Sequence, residues 1–245
     1  MKIKIALYLI IVSFTSFGCS GTDSVIDSDD DGKPIQLIYT YQFLTDYEGW
    51  VGDFADYTTE GGVFAPDYEF MFEYSSLPFP LDETKGSLML SSNNRSDDIF
   101  MFLKKKISGL PPNKLCRITF IVEFASDVAD GTIGPGSPGE NVYIKAGATQ
   151  IEPDKELDPY DNFYRMNIDK GNQSEGGYDM IVIGDFSNDT DQSVYTLKTA
   201  TNQNYFQVES NDDGELWIVV GTDSGYEGTT TIYYNKIEVI VDTYE

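Results

Sequence analysis

Apolar and polar residues alternate through Arg117-Ile118-Thr119-Phe120-Ile121-Val122-Glu123-Phe124 and through Lys236-Ile237-Glu238-Val239-Ile240-Val241-Asp242. Successive side chains of a strand point to opposite faces, so each run predicts a strand with one dry and one wet face. Similar runs, rich in Val, Ile, Tyr, Phe and Thr and bounded by Gly, Pro, Asn and Asp, bring the prediction to about eleven strands. They are Leu37–Phe43, Ser87–Ser91, Ile99–Ile107, Leu115–Phe124, Val142–Ala146, Phe163–Asp169, Asp179–Ile183, Val194–Lys198, Tyr205–Glu209, Leu216–Val220 and Thr229–Val241. Beyond the first eighteen residues no helical period of useful length occurs. The pattern predicts an all-β chain: a two-sheet antiparallel β-sandwich of jelly-roll type, formed by residues 35–245 as one domain.

The first residues follow a different pattern. Lys2 and Lys4 precede an apolar run from Ile5 to Phe14, and Ser16-Phe17-Gly18 leads into Cys19. A charged start, a short apolar stretch and small residues form the layout of a secretory signal peptide, and the run is too short for an ordinary membrane span. Ser16-Phe17-Gly18-Cys19 resembles the lipobox of bacterial lipoproteins, with Phe17 departing from the usual small residue. That resemblance implies removal of residues 1–18, acylation of Cys19 and attachment to a membrane through lipid alone, outside the cytoplasm. Residues 19–34, with Asp27, Asp29, Asp30 and Asp31, are polar and acidic and predict a flexible tether. This stretch is similar to the acidic segment behind the lipid cysteine of surface-exported lipoproteins in some Gram-negative bacteria, which implies an outer-membrane, surface or periplasm-facing location.

Composition adds a core and removes several chemistries. Aromatic residues make up 14% of the chain, with 17 Tyr and 15 Phe, far more than a disordered chain carries. Forty-one acidic against 16 basic residues give a net charge of −25. Such a surface repels phosphate backbones, so no nucleic-acid partner is expected. The chain has no His, which removes Ser-His-Asp and Cys-His hydrolysis and His-ligated zinc. Cys116, in a strand-like run, reads as a buried, inert thiol.

Two segments carry a second resemblance. Lys106-Ile107-Ser108-Gly109-Leu110-Pro111-Pro112-Asn113-Lys114-Leu115 looks like a strand–turn–strand hairpin, and Thr231-Ile232-Tyr233-Tyr234-Asn235-Lys236-Ile237 like a closing strand. Both resemble galactose-binding-like jelly rolls, the fold of many carbohydrate-binding modules. The resemblance implies a sugar ligand and a structural calcium, although Asn235 stands where an Asp is common.

Five loops hold more polar and aromatic groups than turns require. Trp50, Asp53 and Asp56 in Trp50–Tyr57 pair an aromatic platform with carboxylates, the combination that suits sugar faces and hydroxyls. Asn94, Arg95 and Asp97 in Ser91–Asp98 are hydrogen-bonding residues and equally ordinary turn residues. Ile133–Glu140 is punctuated by Gly and Pro, without the Lys or helix of a phosphate loop. Asn172 and Gln173 lie in Asn167–Gly177, and Tyr226 in Gly221–Gly228. Inward-turned Asp169, Asp223 and Glu227 would form an oxygen cage for calcium; the same residues also suit a hairpin turn. No residue is assigned a catalytic role, since with 41 acids some pair always meets the spacing of a glycosidase. The expected function is non-catalytic carbohydrate binding by a lipid-anchored domain. A glycan-active hydrolase or lyase, and a protein-binding surface adhesive or structural factor, stand as alternatives.

Overall fold

The computed structural model describes residues 24–25, 35–60 and 64–243; Cys19, most of the acidic tether and the leading apolar run lie outside them. Two antiparallel sheets face each other. In sheet A, β16 (Thr229–Thr243) is central. One of its sides pairs with β8 (Leu115–Ser126), which in turn pairs with β13 (Thr196–Thr201) and β14 (Phe206–Glu209) end to end. The other side pairs with β6 (Gly86–Asn93) and then β2 (Ile35–Tyr41), bordered by β5 (Met71–Ser76) and β1 (Ser24–Val25). Sheet B runs in the order β12 (Met180–Asp185), β9 (Val142–Thr149), β15 (Leu216–Ser224), β7 (Ile99–Ile107) and β3 (Val51–Ala55). A third, small sheet joins β10 (Lys155–Asp158), β11 (Phe163–Met166) and β4 (Tyr57–Thr58).

All eleven expected strands are present, and the strand count exceeds that expectation. The additions include β3 and β4, inside what reads as the Trp50 loop, and β5 and β10. One correction concerns Gly109–Asn113. It is not a hairpin turn, because β7 pairs in sheet B and β8 in sheet A, so the segment crosses from one sheet to the other. Asn113 takes a left-handed conformation there (φ +54°), one that Asn tolerates better than most residues.

Alternation fixes the dry faces. Cys116, Ile118, Phe120, Val122 and Phe124 of β8 are fully buried and meet Ile99, Met101 and Leu103 of β7 and Leu216, Ile218 and Val220 of β15 in one core. β16 would lose its register with this core if it were regular, because Ile232 and Tyr234 point inward on even positions and Ile237, Val239 and Val241 on odd ones. A bulge between Tyr234 and Lys236, opposite Phe124 and Glu123, inserts the extra residue that switches parity. Asn235 is that residue, and its amide donates to the Glu123 carboxylate. Cys116 lies in the core, where burial pushes its thiol up to about 11, consistent with an inert thiol.

Sheet B is buried on its outer face as well. Phe100 and Phe102 of β7, Val219 of β15, Met180 of β12 and Ala55 of β3 form a second apolar cluster with Ile168. Residues 150–179, which include β10 and β11, hold this layer. This double burial explains the unbroken apolar run Ile99–Leu103, which an ordinary half-wet strand would interrupt with polar residues.

Candidate functional site

Two places collect chemistry-bearing groups: a buried charged cluster on the outer face of sheet B, and an open groove between the edges of the two sheets.

The cluster starts from β15 and β9, whose outward positions supply Asp223 and Lys145, both completely buried. Asp223 Oδ2 lies 2.8 Å from Lys145 Nζ and 2.8 Å from Lys170 Nζ, and accepts a hydrogen bond from the Gln173 backbone N–H at 3.0 Å. Lys170 Nζ is also 2.7 Å from Asp56 Oδ2, at the junction of β3 and β4, and lies over the Phe100 ring at 5.1 Å from its centroid. Asp98, just before β7, completes the group: one oxygen from each of Asp56, Asp98 and Asp223 lies within 4.8 Å of the other two. Lys145 spends its remaining donors on the carbonyls of Lys170 and Glu175, each at 2.9 Å.

Burial and crowding set the protonation. Burial raises Asp98 to about 7, and the negative fields of Asp223 and Asp56 add to that rise. Burial also raises Asp56, against the opposing pull of Lys170. For Asp223 burial works upward, but Lys170 and Lys145 outweigh it and hold the carboxyl below its ordinary value. Burial works against the charge on Lys170, yet Asp223, Asp56 and Asp98 together raise its pKa. Lys145 is lowered, chiefly by burial. With Asp98 neutral, two carboxylates balance two ammonium groups, the arrangement a low-dielectric site tolerates best.

The expected binding loops do converge here, but their polar groups mostly turn inward on one another. The Asn94 amide donates to the carbonyls of Ser224 (2.8 Å) and Tyr226 (3.0 Å). Ser96 Oγ donates to the Asp56 carbonyl, and Gln173 Nε2 to the Asp97 carbonyl. Asp56 and Asn94 are therefore buried structural links. Arg95 stays exposed and donates to the Asp67 carbonyl, while the Asp97 and Asn172 side chains are exposed. Tyr226 is half-buried and lines a cavity of about 270 Å³ with Asp127, Thr132 and Phe186. Trp50 does not offer a stacking face: it is 2% exposed and meets Tyr41 edge-on at 5.4 Å. Asp53 pairs with Lys155 at 2.6 Å.

Asp169, Asp223 and Glu227 are not gathered into a cage. β15 extends through Ser224, so Asp223 is a strand residue pointing into the buried layer, whereas Glu227 is exposed. Asp169 accepts from the backbone N–H groups of Gly171 (3.1 Å) and Tyr178 (2.9 Å), which hold its carboxyl below the ordinary range. It closes its own loop, where Gly171 takes φ +70° and a Cβ at Gly177 would overlap Asp169. Among the described residues the converging carboxylates are Asp56, Asp98 and Asp223. They do not fit a divalent ion, because the Lys170 ammonium already stands between two of them.

The groove lies where β12, an edge of sheet B, faces the β13–β14 turn of sheet A. Its volume is about 460 Å³ and its walls include Ile181, Ile183, Gln203, Asn204 and Tyr205. Asn202 shapes it. The Asn202 side chain accepts from Phe120 N–H at 2.7 Å and donates to the carbonyls of Ile118 (2.9 Å) and Asn204 (2.8 Å). It thereby satisfies β8 backbone groups at the break between β13 and β14 and pins the turn that carries Gln203, Asn204 and Tyr205. Those three side chains are exposed, Tyr205 at 55%. In the sequence 202–204 reads as a plain gap between strands, and the signal it carries is three consecutive amide residues followed by an aromatic.

No family model matches the chain, and no curated protein matches it. Among solved structures it is similar to the enzymatically active domain of a tailspike protein from bacteriophage CBA120, at 12% identity and TM-score 0.35, over 80% of this chain and 20% of that one. A carbohydrate-binding module described for specific mannan recognition aligns at 12% identity and TM-score 0.36, over 84% and 97% of the two chains. A Stig cyclase from Fischerella sp. TAU aligns at 10% identity and TM-score 0.35, over 80% and 86%. Likeness at this level, to proteins with unlike activities, adds nothing to what the strand pairing itself shows, and function rests on the sites.

Proposed function

We propose that this protein is a secreted, lipid-anchored domain that binds a carbohydrate chain without turning it over, in the groove between β12 and the β13–β14 turn. The observation that carries this reading is the exposed Tyr205 ring beside the side-chain amides of Gln203 and Asn204. A phenol ring stacks on the CH face of a sugar, and amides exchange hydrogen bonds with its hydroxyls. The groove is open, which suits an extended chain. The acidic surface favours a neutral glycan over an anionic one. The basic–apolar–small layout ahead of Cys19 supports anchoring through that residue, at the outer membrane, with residues 19–34 as the tether.

Native electrophoresis of the protein through gels containing neutral polysaccharides tests the reading. At least one glycan retards the wild type, and Tyr205→Ala abolishes that retardation while leaving the melting temperature within about 1 °C, since an exposed side chain contributes little to stability. Retardation that persists in Tyr205→Ala places the ligand elsewhere. Indifference to every glycan overturns the reading in favour of a protein-facing surface factor.

A further inference from the structure

We infer that Lys170 and Asp56 are the two ends of an intramolecular amide cross-link, formed between Lys170 Nζ and Asp56 Cγ with loss of one water. The cross-link is independent of the glycan reading.

Geometry singles out this pair from the possible Lys–Asp pairs. Lys145 is saturated by one carboxylate and two backbone carbonyls. Beyond its carboxylates, Lys170 has only a 3.3 Å contact to the Gly171 carbonyl. Asp223 Oδ2 already faces two ammonium groups and a backbone N–H. Asp56 Oδ2, by contrast, meets one charged partner, Lys170 Nζ at 2.7 Å. Asp56 is 5% and Lys170 5% exposed, and Phe100 lies beneath the ammonium. Holding the reacting groups together in this way replaces an encounter in solution, and exclusion of water disfavours the reverse hydrolysis.

The chemistry needs no outside reagent. Neighbouring carboxylates keep Lys170 charged at rest, but burial raises Asp56, and the reaction proceeds from the minor form in which the proton has moved from the Lys170 ammonium to the Asp56 carboxylate. The nitrogen lone pair attacks Cγ and the N–C bond forms. The nitrogen then sheds a proton, the Cγ–O bond breaks, and the departing hydroxyl takes a proton and leaves as water. Asp98 can carry that proton, because it is held near neutrality and its carboxyl lies within 4.8 Å of those of Asp56 and Asp223. Charge balances before and after. The reaction consumes one positive and one negative group, leaving Asp223 with Lys145 and a neutral Asp98.

Mass spectrometry of the full-length protein under denaturing conditions decides the matter, with Lys170→Arg as the comparison. The wild type is expected to be lighter than the variant by one water beyond the substitution's own difference. Its digest is expected to yield one branched peptide joining Asp56 to Lys170. Asp98→Asn, followed from freshly refolded chain, is expected to close the link on the order of a hundredfold more slowly, the usual scale of a lost proton carrier. Full mass after prolonged incubation of the folded wild type overturns the proposal. So does a missing water that maps to another pair or to an aspartyl-glycine succinimide. Closure at the wild-type rate in Asp98→Asn overturns the part assigned to Asp98.

Discussion

The two faces of sheet B are both buried, yet they are buried by different means. The inner face meets sheet A through Ile99, Met101, Leu103, Val142, Ile144, Ile218 and Val220, apolar side chains whose burial follows from transfer out of water. The outer face mixes Phe100, Phe102 and Val219 with Lys145 and Asp223, so its burial depends on charge balance as well as on area. An apolar layer loses stability in proportion to the atoms removed. A charged layer loses it abruptly when one partner goes, because the remaining charge is stranded.

Asp223→Asn is the strongest way to break that comparison. The substitution keeps the shape and removes the carboxylate that faces Lys145, and Lys170 as well until its link to Asp56 closes. About 3–5 kcal/mol of stability should be lost, the usual cost of stranding a buried charge, as read from urea unfolding. A loss under about 1 kcal/mol would mean that the outer layer is held by its apolar cluster alone.

A gentler probe is pH. The folded-state pKa of Asp98 is raised to about 7 from an ordinary value of 3.8. Between those values the folded state holds a proton that the unfolded state has released. Stability from this group is therefore fully present below about pH 4, falls as pH rises toward 7, and is flat beyond. In the unlinked chain burial raises Asp56 in the same direction, whereas Asp223 is lowered, so its contribution changes only below about pH 4. Asp98→Asn should flatten the fall between pH 5 and 8 by on the order of 1–2 kcal/mol, after discounting for solvent screening of a partly exposed group. An unchanged pH profile would show that Asp98 is not the proton reservoir of the cluster. Asp223→Asn and Asp98→Asn also share partners, so their effects should not add.

The same contrast governs what was legible in the sequence. Period-two alternation marks an inner face wherever the outer face is wet, which is why β8 and β16 are plain from Arg117–Phe124 and Lys236–Asp242. The β16 bulge is hidden, because Tyr233-Tyr234-Asn235-Lys236 gives no local sign of an extra residue. On sheet B the covering layer conceals itself. Lys145 in Tyr143-Ile144-Lys145-Ala146 reads as a surface lysine, and Asp223 in Gly221-Thr222-Asp223-Ser224 reads as a turn. Only the long-range packing of residues 167–177 over the sheet makes either of them interior. The loops of the expected binding site are dense in polar groups. What local sequence could not convey is that they would spend those groups on each other, leaving the open groove to Tyr205 and its neighbouring amides.

The smallest effect belongs to the inner face, and it tests whether that face is as dry as its residues suggest. Tyr234 of β16 lies in the core with no exposure and its hydroxyl has no hydrogen-bond partner, so burial pushes the ionisation of that group far up. An unpaired hydroxyl is a cost to the folded state, since it leaves water without finding an acceptor. Removing it makes the position as apolar as Ile232, Ile237, Val239 and Val241 of the same strand. Tyr234→Phe should therefore be neutral or stabilising by up to about 1 kcal/mol, with an unchanged denaturant slope because the fold buries the same surface. A loss of more than about 1 kcal/mol would place an ordered water against the hydroxyl, since only a lost partner makes its removal costly. The core between the sheets would then contain a polar link, as the outer layer of sheet B does, and the distinction between an apolar interior and a charge-balanced outer layer would become one of degree.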